Sequence, residues 1–218
     1  RSFLELHPDI AAVLNVDLDH TDCYRNIDDA FDSFAAFAAR ATQCALLNGD
    51  DPYCRRMGMR NAVTFGCGDC DYRACGLTES QGCWSFVLCH DAERIPMRLR
   101  VPGRHNVYNA LCAVACAHLS GVPLARAVAD ASEFSGVKRR FELLGTLEGA
   151  RIYTDYAHHP NEIAATIATA RSCGAKRVVV VFEPHTYSRT AALGDRFAQV
   201  LAAADEVVLA PIFPAREA

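Results

Sequence analysis

The stretch Arg151-Ile-Tyr-Thr-Asp-Tyr-Ala-His-His-Pro-Asn-Glu-Ile163 decides how the fold is read. Arg151 to Asp155 has the composition of a strand. Pro160, with its fixed φ and missing amide proton, suits the first position of a helix, which the apolar spacing extends over Asn161 to Arg171. The alternation then repeats as strand Arg177 to Phe182, helix Thr190 to Ala203 and strand Glu206 to Leu209. Strands separated by helices imply a parallel, doubly wound sheet whose ligands sit at the carboxyl ends of the strands. Upstream lies the basic, glycine-led stretch Gly136-Val-Lys-Arg-Arg-Phe141, and a domain boundary is expected near residues 139 to 143, dividing the chain into 1–141 and 142–218.

The first of these domains reads less regularly. Ile10 to Val16 is a continuous apolar run of the kind a buried strand shows, followed by the acidic loop Asp17 to Asp22 and a helix over Asp28 to Ala41. Cys44 to Asn48 and Ala62 to Phe65 are short strands, with turn chemistry at Gly49-Asp-Asp-Pro52 and a helix between them. From Tyr72 to Val101 apolar and polar residues partly alternate, as antiparallel strands require. Pro102-Gly-Arg-His-Asn106 opens an alanine-rich helix ending near Gly121, and Leu124 to Phe134 forms another.

At 218 residues and 51% hydrophobic content the chain can bury a sizeable core. A formal charge of −4 argues against nucleic acid or an acidic membrane surface as the main partner. No apolar stretch approaches the roughly 20 residues of a membrane span, and a cytoplasmic location is expected. Both ends run directly into or out of apolar segments and read as cut. The 11 cysteines are expected to be reduced, because disulfide frameworks belong to short secreted chains. Cys67, Cys70, Cys75 and Cys83 leave a structural zinc site open as the alternative to scattered thiols.

Chemistry is expected at strand ends. Asp155, His158 and His159 lead into a helix N-terminus, a natural anion site, and Glu183-Pro-His-Thr-Tyr-Ser-Arg-Thr190 brings His185 and Arg189 to the same edge. Arg189 can hold a carboxylate or phosphate bidentately. The competing reading is that the histidines cap helices or satisfy buried carbonyls and that Arg189 makes a surface ion pair. Asp19-His20-x-Asp22 suits a divalent cation or a phosphate, or is a capping loop. Asn106 and Asn109, three apart on a helix, can point their amides at one ligand or into solvent.

Taken together, Gly103-Arg-His-Asn-Val-Tyr-Asn-Ala110, Gly136 to Phe141, Asp155-Tyr-Ala-His-His-Pro-Asn-Glu162 and Pro184-His-Thr-Tyr-Ser-Arg-Thr190 resemble the Mur ligase family, and Asn15 to Asp22 resembles its metal-binding loop. The motifs occur in the family's order and span nearly the whole chain. The resemblance implies an α/β chain: part of a central ATPase domain with a mixed sheet, then part of a Rossmann-like C-terminal domain. It also implies ATP and Mg2+ as cofactors in peptidoglycan biosynthesis, with UDP-N-acetylmuramate and L-alanine as substrates. A ligase attaching a preformed tripeptide to the same nucleotide sugar is the neighbouring alternative, and a non-catalytic nucleotide- or glycan-binding module the more distant one.

By similarity His20 would be a magnesium ligand, and Asn106 and Asn109 would contact adenine. Arg139, Arg140 and Asp155 would lie on the nucleotide side, and His158, His159 and Arg189 would face the sugar substrate and the incoming amino acid. The family's G-x-x-G-K-[ST] phosphate loop does not occur in the sequence. The chain by itself is therefore expected not to catalyse ligation, and an incomplete second sheet is expected to expose an apolar edge that favours self-association.

Overall fold

The computed structural model describes residues 2–19 and 23–217. The chain divides into two compact units, Arg1–Glu79, Trp84–Leu99 and His105–Phe134 forming the first, and Ser80–Cys83, Arg100–Arg104 and Ser135–Ala218 the second.

A six-stranded sheet in the order β1-β2-β3-β4-β5-β6 is built from β1 (Ile10–Val13), β2 (Cys44–Asn48), β3 (Ala62–Gly66), β4 (Tyr72–Ser80), β5 (Cys83–His90) and β6 (Glu93–Pro102). β1, β2 and β3 pair in parallel, with Ala11 opposite Ala45 and Ala45 opposite Ala62. All five residues of β2 are buried, because a central parallel strand is covered on both faces. Its side chains alternate accordingly. Leu46 packs with Phe65, Tyr72, Val107 and Leu111, whereas Ala45 and Leu47 pack with Val13, Ala30, Ala38 and Cys54.

The first of those clusters is closed by α3 (His105–Leu119) and α4 (Leu124–Ser132), the second by α1 (Ile27–Ala38) and α2 (Pro52–Arg56). Caps fix where α1 and α2 begin. Asn26 accepts a hydrogen bond from the Asp29 amide at 2.9 Å, and Asp51 accepts from the Tyr53 and Cys54 amides, with Pro52 in the first turn. After a short parallel pairing of β3 with β4, two-residue connections join β4 to β5 and β5 to β6. Only antiparallel neighbours can be joined so tightly. Gln81 and Gly82 in the first connection both have positive φ, the conformation that matches the twist of a hairpin.

The second unit departs from the expected parallel sheet. β8 (Ala150–Thr154) pairs antiparallel with β7 (Glu142–Leu147), while β9 (Val179–Phe182) and β10 (Glu206–Leu209) form a separate parallel pair. The cause is local. Glu148 and Gly149 both adopt positive φ, so a tight hairpin gives β8 a partner two residues upstream. α5 (Pro160–Ser172) and α6 (Tyr187–Leu201) cover a single face of β9 and β10 through Ile163, Ile167, Phe182, Leu193, Phe197 and Leu201. The other face, carrying Val179, Val181 and Val208, is exposed, with Val181 at 73%.

Phe65 is wholly buried in the largest cluster. Phe65→Ala is expected to lower stability by about 3–5 kcal/mol, and Val181→Ala, on the open face, by less than about 0.5 kcal/mol. Chemical denaturation of the two variants beside the parent checks both values.

Candidate functional site

Two groups of polar side chains gather where strands end, one in each unit. In the first unit the carboxyl ends of β2 and β3 are tied together by Asp50. Its carboxylate accepts hydrogen bonds from the Cys67 amide at 2.6 Å, the Gly68 amide at 3.0 Å and the Tyr108 hydroxyl at 3.1 Å. Gly66 and Gly68 permit this approach, since a Cβ at either would lie 2.9 or 2.7 Å from an Asp50 carboxylate oxygen. Burial, then the neighbouring Cys67 thiol and Asp50 carboxylate, push the Tyr108 phenol well above its usual range, so it stays a donor. On the same helix, one residue after Tyr108, Asn109 donates to the side-chain oxygen of Asn106 at 3.0 Å. Both amides thus share a face at the first turns of α3. His20 and Asp22 lie outside the described residues; Asp19 is described.

In the second unit the rim is made by the loops after β8 and β9. Asp155 brackets the segment before β7, its two carboxylate oxygens accepting from the Phe141 amide and the Ala157 amide at 2.8 Å each. That segment is strained, with Arg139 at φ +60° and Phe141 at φ +46°. The Arg139 and Arg140 guanidinium carbons lie 4.5 and 5.8 Å from the centre of the Tyr156 ring, within cation–π range.

Glu162 is the second bracket. Its Oε2 accepts from the His158 amide at 3.0 Å and the His159 amide at 3.2 Å, and its Oε1 lies 3.6 Å from the Arg140 guanidinium. His159, 5% exposed, caps α5: its Nδ1 accepts from the Asn161 amide at 3.3 Å, so the ring proton resides on Nε2. The helix-capping reading of His159 is therefore realised. His158 uses Nδ1 differently, 2.9 Å from the Tyr156 carbonyl oxygen, which can only accept. Its Nδ1 carries the proton, and in the neutral ring Nε2 keeps the lone pair.

The His158 and His185 rings are 6.4 Å apart, and the Arg189 guanidinium donates to His185 Nδ1 at 3.3 Å. Arg189 is only 7% exposed and is thus a buried cation. Thr186, at φ +68°, caps α6 by accepting from the Arg189 amide. Three of the sequence candidates, His158, His185 and Arg189, therefore form one row, with the α6 N-terminus beside it. A buried guanidinium and a helix N-terminus together can hold an anion and stabilise charge that develops on it, and an imidazole lone pair beside them can accept a proton.

Sequence reasoning missed Glu217 in this row. Its carboxylate accepts from the Ser188 amide at 3.0 Å and from the Ser188 hydroxyl, and Arg189 contributes attraction. Nothing local in the sequence signals a partner 29 residues away. The bracket at Glu162 was more accessible to sequence reading, because a glutamate three residues after a cap is a capping-box signature. Asp50, read as turn chemistry, gave no hint of its reach to Tyr108.

Among the described residues no three His, Cys, Asp or Glu side chains are gathered as a metal would need. The four cysteines considered for zinc have different neighbours: Cys75 meets Cys89, Cys83 faces the Arg100 carbonyl, Cys70 packs against Gly49 and Gly66, and Cys67 lies against the Tyr108 phenol. Among those residues, too, no helix is long and apolar enough to cross a membrane.

The family model for the Mur ligase middle domain matches residues 2–117, and that for the Mur ligase glutamate ligase domain matches residues 139–218. A UDP-N-acetylmuramate--L-alanine ligase of Caldanaerobacter subterraneus subsp. tengcongensis is 40% identical over 99% of this chain and 49% of its own length. The crystal structure of the UDP-N-acetylmuramate-alanine ligase of Thermotoga maritima superposes with a TM-score of 0.77 at 28% identity, covering 97% of this chain and 48% of that one. MurF of Acinetobacter baumannii shares the fold with a TM-score of 0.81 at 21% identity, over 95% and 48% of the two chains. The chain thus spans about half the length of the relatives it matches.

Two outcomes follow from the rim. His159→Ala is expected to cost about 0.5–2 kcal/mol by removing the α5 cap, and His159→Asn to restore most of it; thermal unfolding of both variants checks this. The Ser188 hydroxyl and amide hold the Glu217 carboxyl below its usual value near 4.5. A folded-state value that is lowered means full docking above that usual value and loss as pH falls through the lowered one. The protection of the Ser188 amide, its hydrogen-exchange rate relative to the intrinsic rate at the same pH, should therefore fall on acidification, and Glu217→Gln should abolish that dependence.

Proposed function

The chain belongs to the Mur ligase family, and from that premise we propose that the protein containing it is an ATP-dependent amide ligase joining L-alanine to UDP-N-acetylmuramate in peptidoglycan biosynthesis. The observation that carries this reading is the 40% identity to a protein of that name over 99% of the chain. The geometry of the rim supports it. Ligation of an amine to a carboxylate needs an anion held still, negative charge stabilised on the acyl oxygen and leaving phosphate, and water kept away.

In this reading residues 1–141 belong to the central ATP-binding domain and 142–218 to the Rossmann-like C-terminal domain, whereas the compact units change over earlier, between Phe134 and Ser135. ATP, when bound, supplies the phosphoryl group that activates the muramoyl carboxylate, and Mg2+ offsets the charge of its phosphates. Asn106 and Asn109 suit the adenine, because two side-chain amides on one helical face offer both donors and acceptors to a purine edge. His20, with the carboxylates of Asp19 and Asp22, offers a donor set that a divalent cation accepts. Arg139, Arg140 and Asp155 belong to the nucleotide side: the arginines provide positive charge, and Asp155 fixes the backbone that carries them.

Arg189 holds the carboxylate of the incoming amino acid, where its burial strengthens the attraction. His158 takes a proton from the amine on Nε2 as the amide bond forms, a role supported by the engagement of its Nδ1 with the Tyr156 carbonyl. His159 works one step back, capping the start of α5 through its Nδ1, while Glu162 holds the backbone amides of His158 and His159. Both nucleotides are cytoplasmic metabolites, so the reaction belongs in the cytoplasm.

The test is phosphate release by the full-length protein given ATP, UDP-N-acetylmuramate and a panel of amines. Release that requires L-alanine, with kcat/KM reduced by about 10²–10³-fold in His158→Ala and Arg189→Ala, is the expected result. A preference for a preformed tripeptide would reassign the protein to the recycling reaction, and no release with any amine would remove the ligase reading.

A further inference from the structure

On the sheet of the first unit two cysteines on neighbouring strands face each other. Cys75 on β4 and Cys89 on β5 have their Sγ atoms 3.1 Å apart. Counted from the Gln81-Gly82 turn, an unbroken ladder would set Cys75 opposite Leu88 and leave Cys89 one residue out of step. Gly76, next to Cys75, has φ +62°. A left-handed glycine inside a strand marks a bulge, whose extra residue on β4 shifts the ladder beyond it, so that Tyr72 stacks on His90 and Cys75 lies diagonal to Cys89 on the same face. Open space around Gly76 shows that packing does not demand glycine there; its backbone angle does.

Two further features distinguish this pair. The Arg73 Nε donates to the Cys75 sulfur at 3.2 Å, and Arg94 adds positive charge nearby. Hydrogen bonding from Cys89 in the first place, and Arg73 after it, lower the pKa of the Cys75 thiol; burial and the Cys75 neighbour raise that of Cys89. The two thiols are thus differentiated into a nucleophile, half-exposed on its strand, and a buried partner. Guanidinium groups against the sulfurs disfavour a metal cation, and no third ligand joins them among the described residues. Cys112 and Cys116 are also close in sequence, but one helical turn separates their Cβ atoms by about 5–6 Å, beyond the reach of about 3.5–4.5 Å that a disulfide allows.

We propose that Cys75 and Cys89 are a reversible oxidation site that closes to a cross-strand disulfide by exchange with a low-molecular-weight disulfide. The Cys75 thiolate attacks one sulfur of the small disulfide, forming a mixed disulfide and releasing one thiolate. Cys89 then gives up its proton and attacks the Cys75 sulfur, releasing the second thiolate. Two protein thiols are oxidised to one disulfide, the small disulfide is reduced to two thiols, and the protons end on the latter. Closing the pair requires the sulfurs to approach by about 1 Å to bonding distance, within the travel of two side-chain rotations on strands already paired.

The experiment equilibrates the full chain in buffers of graded oxidised and reduced glutathione. Free thiols are alkylated with one reagent and, after reduction, the released thiols with a second, and the peptides are mapped. Cys75 and Cys89 are expected to move together into the second label at a glutathione ratio at least tenfold more reducing than any other cysteine pair, and dithiothreitol should reverse it. Cys89→Ser should trap one glutathione on Cys75, and Arg73→Gln should slow alkylation of Cys75 several-fold. Cys75 and Cys89 remaining in the first label while other cysteines oxidise would overturn the proposal, as would alkylation of Cys89 faster than Cys75. If Cys89→Ser fails to fold, the peptide map of the unaltered chain decides alone.

Discussion

A central parallel strand cannot turn either face to water, and that constraint organises the first unit. β2 is buried along its whole length, with Leu46 facing one helical layer and Ala45 and Leu47 the other. Once α3 and α4 occupy one side and α1 and α2 the other, the strand ends have one place to go. The carboxyl ends of β2 and β3 reach a common edge, where the backbone amides of Cys67 and Gly68 converge on Asp50 and the first turns of α3 arrive with Tyr108. Packing of largely apolar layers therefore positions a polar edge.

Carboxylates play the organising part in the second unit. Asp155 and Glu162 accept from three backbone amides of the loop that carries the histidines, those of Ala157, His158 and His159, and Asp155 also from the Phe141 amide ahead of β7. A loop held by three charge-assisted hydrogen bonds presents its side chains in one arrangement, which a site for ordered bond formation needs. The buried Arg189 is the complementary element, a cation that burial makes costly unless an anion or a polar neighbour answers it. In the folded chain His185 does so from one side, and Glu217 contributes from the helix N-terminus.

Much of this was legible in the sequence because it depends on short-range rules. The strands Cys44 to Asn48 and Glu206 to Leu209 and the helix opened by Pro160 follow from apolar runs and from the one residue whose φ is fixed. Asp155, His158, His185 and Arg189 were legible because they follow strands, where ligand-binding loops begin. β7 was not: Gly145 interrupts its alternation, its pairing shifts register there, and its leucines are exposed, so no face of the strand reads as buried. Its partnership with β8 depends on the backbone of Glu148 and Gly149, not on hydrophobic pattern. The work of His159 was undecided for a related reason, since capping a helix and contacting an anion both call for an imidazole at a helix N-terminus. The link from Glu217 to Ser188 is long-range and leaves no local trace.

The central claim, activation of a carboxylate by phosphorylation before an amine attacks it, is tested most directly by following oxygen. UDP-N-acetylmuramate labelled with ¹⁸O in its carboxylate, ATP and L-alanine would be given to the full-length protein, and the released phosphate and the ligated product analysed by mass spectrometry. One ¹⁸O atom transferred to each inorganic phosphate, with the amide product retaining the other, is the predicted result. Product that forms while the phosphate stays unlabelled, with the ¹⁸O found in AMP or in water, would contradict the account.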